Sequence, residues 1–506
     1  MNTTGHSSAR HSSLDISPEE LRELSARVNE LVLEYFSEVS QLPVFPETFG
    51  GDTLEQVGST LPAEGEPVDQ LIKDCRTIID KSRHNGHPRF FGYVASPATP
   101  AGAFADLIAS ALNANVTSWR SGPAATEIER TVVRWLGSLI RYDEEARGLL
   151  TSGGSMANMT ALLIAHRAKA GSGASRKGLW QTDAPMTMYA SAQVHMSIPK
   201  AADMLGFGRD QVRLIACDDQ FRLNVKLLRE RIAADLQAGS KPFCIVGSAG
   251  TTNTGAVDPL LEIARVAKEF ALWFHVDGAY GAPAALDESK RSLFAGLERA
   301  DSVSLDPHKW LYAPLDCGCL LFRDEARARA AFGEEDADYI KVLEEEADES
   351  FAFWNYGPEL SRRFRALKIW LTLRYYGTRR IAAAITEDNA LAAYLAKLVE
   401  EAEDFELLSQ PQLSICCFRY VPPAMRLPSD GGLPKGEANE GELNKLNEKI
   451  MYLVQRGGRA YLSSATIQGK FALRACITNF RTTRADIEQT LEIIREAGCN
   501  LFGSAA

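Results

Sequence analysis

LWFHVDGAYG at residues 272–281 and SVSLDPHKW at residues 302–310 decide the fold. Each opens on a short apolar run and reaches an aspartate, after which the pattern breaks. Runs apolar on nearly every position fit strands buried on both faces, as in a sheet covered by helices. Working outward, similar runs occur at GLLTS (148–152), MTMYAS (186–191), VRLIAC (212–217), FCIVGSA (243–249) and GCLLF (318–322), with helical patterns between most of them. The alternation predicts an α/β fold on a largely parallel sheet, within a large domain spanning residues 86–375. Ligands of such sheets sit beyond the carboxyl ends of the strands, so the chemistry is expected just after these runs.

The flanks read differently. Residues 1–16 are polar and Ser-rich, and a disordered start is expected there. Ser17-Pro18-Glu19-Glu20 carries an N-cap serine, a proline at the first helical position and a glutamate able to reach back to the cap. The helix it predicts lines Leu21, Leu24, Val28, Leu31, Val32, Tyr35 and Val39 along one face, and that face needs a partner. Prolines 43, 46, 62 and 67 make the next stretch an extended connection, and residues 17–85 together form an N-terminal helical segment. Residues 324–350 are dominated by charge and read as a solvated helix, a disordered loop or a functional lid. Residues 376–506 mix amphipathic helices with a few strands and read as a small α+β domain, interrupted by a loop near 427–441.

Bulk properties narrow the function. The 55 basic and 66 acidic side chains give a formal charge of -11 with no Lys/Arg cluster, which argues against a nucleic-acid partner. No apolar run is long enough to cross a bilayer, and the first residues lack the apolar core of a secretory signal, so a cytoplasmic location is expected. The nine cysteines lie mostly in apolar runs, and the pairs Cys317/Cys319 and Cys416/Cys417 lack metal or redox spacing. Free thiols and no metal are the expectation.

Three strand ends bring chemistry together. Asp277 stands at one, beside Gly278 and Ala279, small enough to admit a flat ring. Lys309 follows another. The third is Thr151-Ser152-Gly153-Gly154-Ser155, a glycine turn before a helix whose exposed N–H groups can hold a phosphate. A glycine turn alone is usually a simple connection, and a lone strand-end Asp or Lys an ordinary ion pair. An amine that captures an aldehyde, a buried carboxylate for a pyridine nitrogen and a phosphate cradle together match the three handles of pyridoxal 5'-phosphate (PLP).

At these residues the sequence resembles the group II PLP-dependent amino acid decarboxylases, which include the aromatic-L-amino-acid, histidine and glutamate decarboxylases. The matching text includes HPRFFGY (87–93), WRSGPAATEIE (119–129), TSGGSMANMTALL (151–163), SAQVHMSIPKAADMLG (191–206), SAGTTNTGAVDPL (248–260), HVDGAYG, DPHKWLYAPLDCG (306–318) and LSRRFRALKIW (360–370). The resemblance implies a PLP fold-type I, aspartate aminotransferase-like large domain. It implies a homodimer with the site at the subunit interface. Lys309 would bind the cofactor aldehyde covalently and Asp277 would pair with the pyridine nitrogen. His195, which alone would read as a core histidine, would stack on one ring face, with Ala279 on the other. Gly153, Gly154, Ser155 and His308 would hold the phosphate with Asp306 nearby, and Thr252 would lie on the ring's oxygen side. Tyr93, Val94, Asn115 and Thr117 would shape the substrate pocket. Arg474 would bind a substrate carboxylate or, as a lone strand arginine, make a structural ion pair.

Two departures from the family pattern stand out. Asp306 occupies a place where some relatives carry Asn. Phe353 falls where the family places the tyrosine that returns a proton to Cα, and relatives with Phe there resemble aromatic aldehyde synthases. Tyr356 or Tyr339 would supply the hydroxyl if the register shifts. The expected reaction is decarboxylation of an L-amino acid, foremost an aromatic one, to the amine. The alternatives are aldehyde formation, another fold-type I PLP reaction such as transamination, or a catalytically silent PLP-binding protein.

Overall fold

The computed structural model describes residues 14–58, 60–171, 178, 184–332, 349–425 and 440–503. Its strands in chain order are β1 (Phe90–Phe91), β2 (Arg147–Thr151), β3 (Met186–Ser191), β4 (Val212–Ile215), β5 (Lys241–Ser248), β6 (Trp273–Asp277), β7 (Ser302–Leu305), β8 (Gly318–Phe322), β9 (Phe405–Ser409), β10 (Ile415–Tyr420), β11 (Tyr461–Ile467) and β12 (Lys470–Cys476). The seven apolar runs all form strands of one sheet, in the order β2-β8-β7-β6-β5-β3-β4. Neighbours from β7 to β4 pair in parallel, while β8 runs antiparallel to both β2 and β7. Helices cover the sheet: Gly154–Ala170 packs on β5 to β8, and Leu260–Glu269 on β5 and β6. Side chains such as Ile245, Val246, Trp273, Val276, Val303 and Leu320 are almost wholly buried, which is why these strands lack polar alternation.

The second sheet has the order β1-β11-β12-β10-β9. Its core joins Phe418, Leu462 and Leu473 to Leu391, Leu395 and Val399 of the helix Ala366–Glu401. The pair Phe90–Phe91 lies far from these strands in sequence yet pairs in parallel with Tyr461–Leu462. That pairing brings Tyr93, two residues on, beside Ser463, whose Oγ accepts from the Tyr93 N–H at 3.2 Å.

The capping box at Ser17 and Glu20 is formed as expected, at the start of the helix Pro18–Glu38. The connection after it is less extended than expected. It includes a short helix, Gly50–Val57, with no buried residue, and leads into the helix Val68–Asp80. The first of these has no side-chain cap and exposes Leu54, so it left little apolar signature to read. Glu325–Phe332 is helical. The rest of the acidic stretch from 333 to 348, Tyr339 included, lies outside the described residues, as do residues 1–13 and 426–439.

Candidate active site

Six strands, β2 to β7, run in the same direction, so the segments leaving them gather at one edge. A cavity of about 630 Å³ opens there. Tyr93, Val94, Gly153, Gly154, Ser155, His195, Thr252, Asp277, Ala279, Asp306, His308, Lys309 and Arg474 all line it. Asp277 and Lys309 come from adjacent parallel strands, in which Asp277 is opposite Ser304.

The lysine end of the cavity is strongly paired. Lys309 Nζ lies 2.9 Å from Asp306 Oδ2, and the aspartate is only 2% exposed. The carboxylate that looked out of place beside a phosphate is thus spent on the lysine, with the His308 Nε2 a further 3.7 Å contact. The Cys317 N–H donates to His308 Nδ1 at 3.0 Å, which leaves the ring hydrogen of neutral His308 on Nε2. Burial lowers the His308 pKa below its usual value and favours that neutral form. A Cβ on Gly154 would come within 2.9 Å of both Asp306 Oδ2 and the Ala279 Cβ, so the turn admits only glycine at this approach.

Asp277 is 7% exposed and accepts three bonds. Asn158 Nδ2 donates to Oδ2 at 3.0 Å, while the Ala279 N–H and the Ser304 hydroxyl donate to Oδ1 at 3.1 and 3.3 Å. All three donors are neutral, and among the described residues no Lys or Arg forms an ion pair with this carboxylate. A cationic N–H arriving in the cavity would find an acceptor with its charge uncompensated. Asn158, Ser197, His275 and Ser304 were missed by sequence reasoning. A signal existed for two of them: His275 interrupts an apolar strand and Asn158 an apolar helix, and such buried polar groups need partners.

The turn carrying Lys309 is anchored from behind. Asp388 Oδ2 accepts from the Trp310 indole at 2.8 Å and the Tyr312 hydroxyl at 2.7 Å. Burial pushes the Asp388 carboxyl up to about 7, from the ordinary 3.8. A folded-state pKa above the unfolded one gives stability that is full below about pH 4 and lost as pH rises through about 7. Urea unfolding from pH 4 to 8 is expected to show this one-proton decline in the wild type, and Asp388→Asn is expected to remove it.

Four named residues lie elsewhere in the chain. Asn115, Thr117, Phe353 and Tyr356 do not line the cavity with Lys309. They are instead brought near one another: the Phe353 N–H donates to the Thr117 carbonyl at 2.9 Å, and Asn115 Oδ1 accepts from the Arg362 N–H at 2.8 Å. Phe353 is fully buried with the Arg362 guanidinium 4.1 Å from its ring centroid. Arg362 in turn is buried against Glu129 and the Val116 and Leu150 carbonyls. The Tyr356 hydroxyl donates to Glu325, and burial raises its pKa.

The residues present fit PLP. They offer a partly exposed amine, an uncompensated carboxylate on the adjacent strand, and a glycine turn opening the helix Gly154–Ala170 between them. A model of the pyridoxal-dependent decarboxylase conserved domain matches residues 51–421. The chain is 35% identical over 484 residues to an aromatic-L-amino-acid decarboxylase of Bacillus atrophaeus, covering 95% of this chain and 96% of that protein. It is 28% identical over 486 residues to a phenylacetaldehyde synthase of a Rosa hybrid cultivar, covering 95% and 94%. The crystal structure of Oryza sativa TDC with PLP and tryptamine is similar at a TM-score of 0.86 and 28% identity, covering 97% of this chain and 99% of that one.

Proposed function

Since the chain belongs to the pyridoxal-dependent decarboxylase family, and is a PLP-dependent amino acid decarboxylase of fold type I, we propose that it converts an aromatic L-amino acid to the amine and carbon dioxide. The observation that carries this reading is Asp277 and Lys309 on neighbouring strand ends of one cavity. Bound PLP supplies a cationic ring that accepts the electron pair left when the bond from Cα to the carboxylate breaks. Lys309 Nζ holds the aldehyde carbon and exchanges with the substrate amine. The Asp277 carboxylate holds the ring nitrogen in its protonated form. His195 and Ala279, both in the cavity wall, would cover the ring faces, and Thr252 would border the oxygen side. The N–H groups around Gly153, Gly154 and Ser155 hold the phosphate at a helix start, with the His308 Nε2 hydrogen beside them.

One nitrogen of Arg474 is left without a hydrogen-bond partner, buried in the cavity wall. Nε donates to the Thr252 and Asn253 carbonyls, and Nη1 to the Tyr93 carbonyl and Ser463 Oγ, while Nη2 has no partner. We assign Nη2 to the substrate carboxylate, reached by a shift of the guanidinium that brings it out of the wall. Tyr93, Val94 and Leu315 give the cavity an apolar wall, which favours an aromatic side chain.

Asn115 is exposed above the buried Thr117 and Phe353, and the surface of this cluster fits a homodimer in which it faces the partner's cavity. Leu21 and Val28 on one face of the helix Pro18–Glu38 are exposed, as a face awaiting a second subunit would be. A cytoplasmic setting agrees with nine unpaired cysteines. Among the described residues no helix is long and apolar enough to cross a membrane.

Phe353 favours a second reading, because its ring has no proton to give. Among residues lining the cavity, Lys309, His195 and Tyr93 carry transferable hydrogens, and return of a proton to Cα by one of them gives the amine. Without that return, reaction with oxygen yields aldehyde, ammonia and peroxide. Incubating the holoenzyme with a panel of aromatic, acidic and aliphatic L-amino acids tests both readings. Amine equal to the carbon dioxide released from an aromatic substrate is expected. Aldehyde and peroxide in its place would establish the second reading, and Phe353→Tyr is then expected to move the product toward amine.

A further inference from the structure

A buried chain of hydrogen bonds runs behind the cofactor site and joins two of its residues. Trp273 Nε1 and His275 Nδ1 both lie 2.9 Å from Ser302 Oγ. His275 Nε2 lies 3.0 Å from Asn158 Oδ1. Asn158 Nδ2 is 3.0 Å from Asp277 Oδ2 and 2.9 Å from Ser197 Oγ, and Ser197 Oγ is 2.9 Å from His195 Nδ1. Trp273, Asn158, Ser197, His275 and Ser302 are each 3% exposed or less, so water does not compete for these bonds.

The two ends fix where every hydrogen lies. A carboxylate can only accept, so the Asn158 NH2 faces Asp277 and Ser197, and its carbonyl faces His275. His275 must then carry its hydrogen on Nε2. Burial lowers its pKa to about 4, so at neutral pH its Nδ1 is bare and accepts from Ser302, which accepts from the Trp273 indole. At the other end the Ser197 N–H donates to His195 Nδ1 at 3.2 Å, so that nitrogen is bare as well and the Ser197 hydroxyl must donate to it. The remaining hydrogen of His195 sits on Nε2.

We propose that Asn158, oriented by His275, is a positioning residue for the cofactor site. Its amide keeps Asp277 an acceptor for the ring nitrogen and, through Ser197, keeps His195 a neutral ring with its hydrogen on Nε2. Protonating His195 would displace two donors from Nδ1. The other charged groups acting on it are Asp277, Lys309 and Asp306, and burial lowers its proton affinity. A neutral imidazole against a cationic pyridine ring avoids like-charge contact, which a charged His195 would create. This rests on the reading that PLP occupies the cavity.

The apo protein labelled with ¹⁵N-histidine tests the order of hydrogens directly, with His195 assigned by comparison with His195→Gln. Two-bond proton–nitrogen correlations at neutral pH are expected to show His195 neutral with its hydrogen on Nε2. Ser197→Ala severs only the His195 branch; its backbone N–H still keeps Nδ1 bare, so the tautomer is expected to stay while the pH at which Nδ1 takes up a proton rises. Asn158→Asp removes both donors, and PLP affinity in equilibrium titration is expected to fall by on the order of tenfold or more. A wild-type His195 that is charged or carries its hydrogen on Nδ1 overturns the proposal, even if the variants fail to fold. So does an unchanged His195 titration in Ser197→Ala together with unchanged PLP affinity in Asn158→Asp. Those results leave the decarboxylase reading standing, whereas a wild-type protein that does not bind PLP defeats that reading instead.

Discussion

Lys309→Ala is expected to lower turnover by at least about four orders of magnitude and to abolish the borohydride-reducible absorbance band of the holoenzyme. The size follows from what the side chain does. Alanine removes the covalent hold on the cofactor and the amine that exchanges with substrate, and among the described residues no other lysine lines the cavity. It also leaves Asp306, 2% exposed, without its cation. Some loss of stability is therefore expected, since a buried carboxylate stripped of its partner is costly. Lys309→Arg separates the two effects. The guanidinium can pair with Asp306 but does not form the covalent link, so stability is expected to return while turnover stays lost. Turnover is read by carbon dioxide release and stability by thermal unfolding. Turnover within tenfold of wild type in either variant would remove Lys309 from its assigned role.

Asp277→Asn is expected to reduce turnover by roughly two to three orders of magnitude, the range set by losing one preorganised electrostatic partner of a developing charge. The substitution keeps the shape and can still accept from the Ala279 N–H and the Ser304 hydroxyl. It removes the negative charge, so the protonated form of the ring nitrogen loses its counter-ion and the ring becomes a weaker electron acceptor. The covalent link to Lys309 should survive, so borohydride should still fix the cofactor in this variant. Carbon dioxide release and borohydride labelling, measured together, distinguish loss of electron-accepting power from loss of the cofactor. Asn158 donates to the same carboxylate, so combining Asp277→Asn with Asn158→Asp should give less than the sum of the two effects.

The sheet was legible because its strands are buried on both faces and so are apolar at nearly every position, as LWFHVD and GCLLF are. The strand-end residues were legible because local sequence alone places them: Asp277 and Lys309 follow their runs directly, and Gly153 and Gly154 open a helix. The purpose of Asp306 was not legible, since nothing in DPHKW says that the Asp306 carboxylate turns back onto Lys309. Nor was the chain from Trp273 to His195. Its members come from β6, β7, the helix Gly154–Ala170 and the segment after β3, and only the tertiary fold brings them within hydrogen-bond reach. Arg474 was left between a substrate role and an ion pair. The fold gives it carbonyl and hydroxyl acceptors and no carboxylate partner among the described residues, which is not the ordinary ion pair of a strand arginine. The separation of Asn115, Thr117 and Phe353 from the cavity follows from contacts with Arg362, more than 200 residues from Asn115 in sequence.

Borohydride reduction of the holoenzyme followed by peptide mass mapping tests the central claim most directly. The pyridoxyl group is predicted on the peptide containing Lys309, in the wild type and in Asp277→Asn, and absent from Lys309→Arg. A pyridoxyl group on another lysine, or none in a wild-type protein that releases carbon dioxide from amino acids, would contradict it.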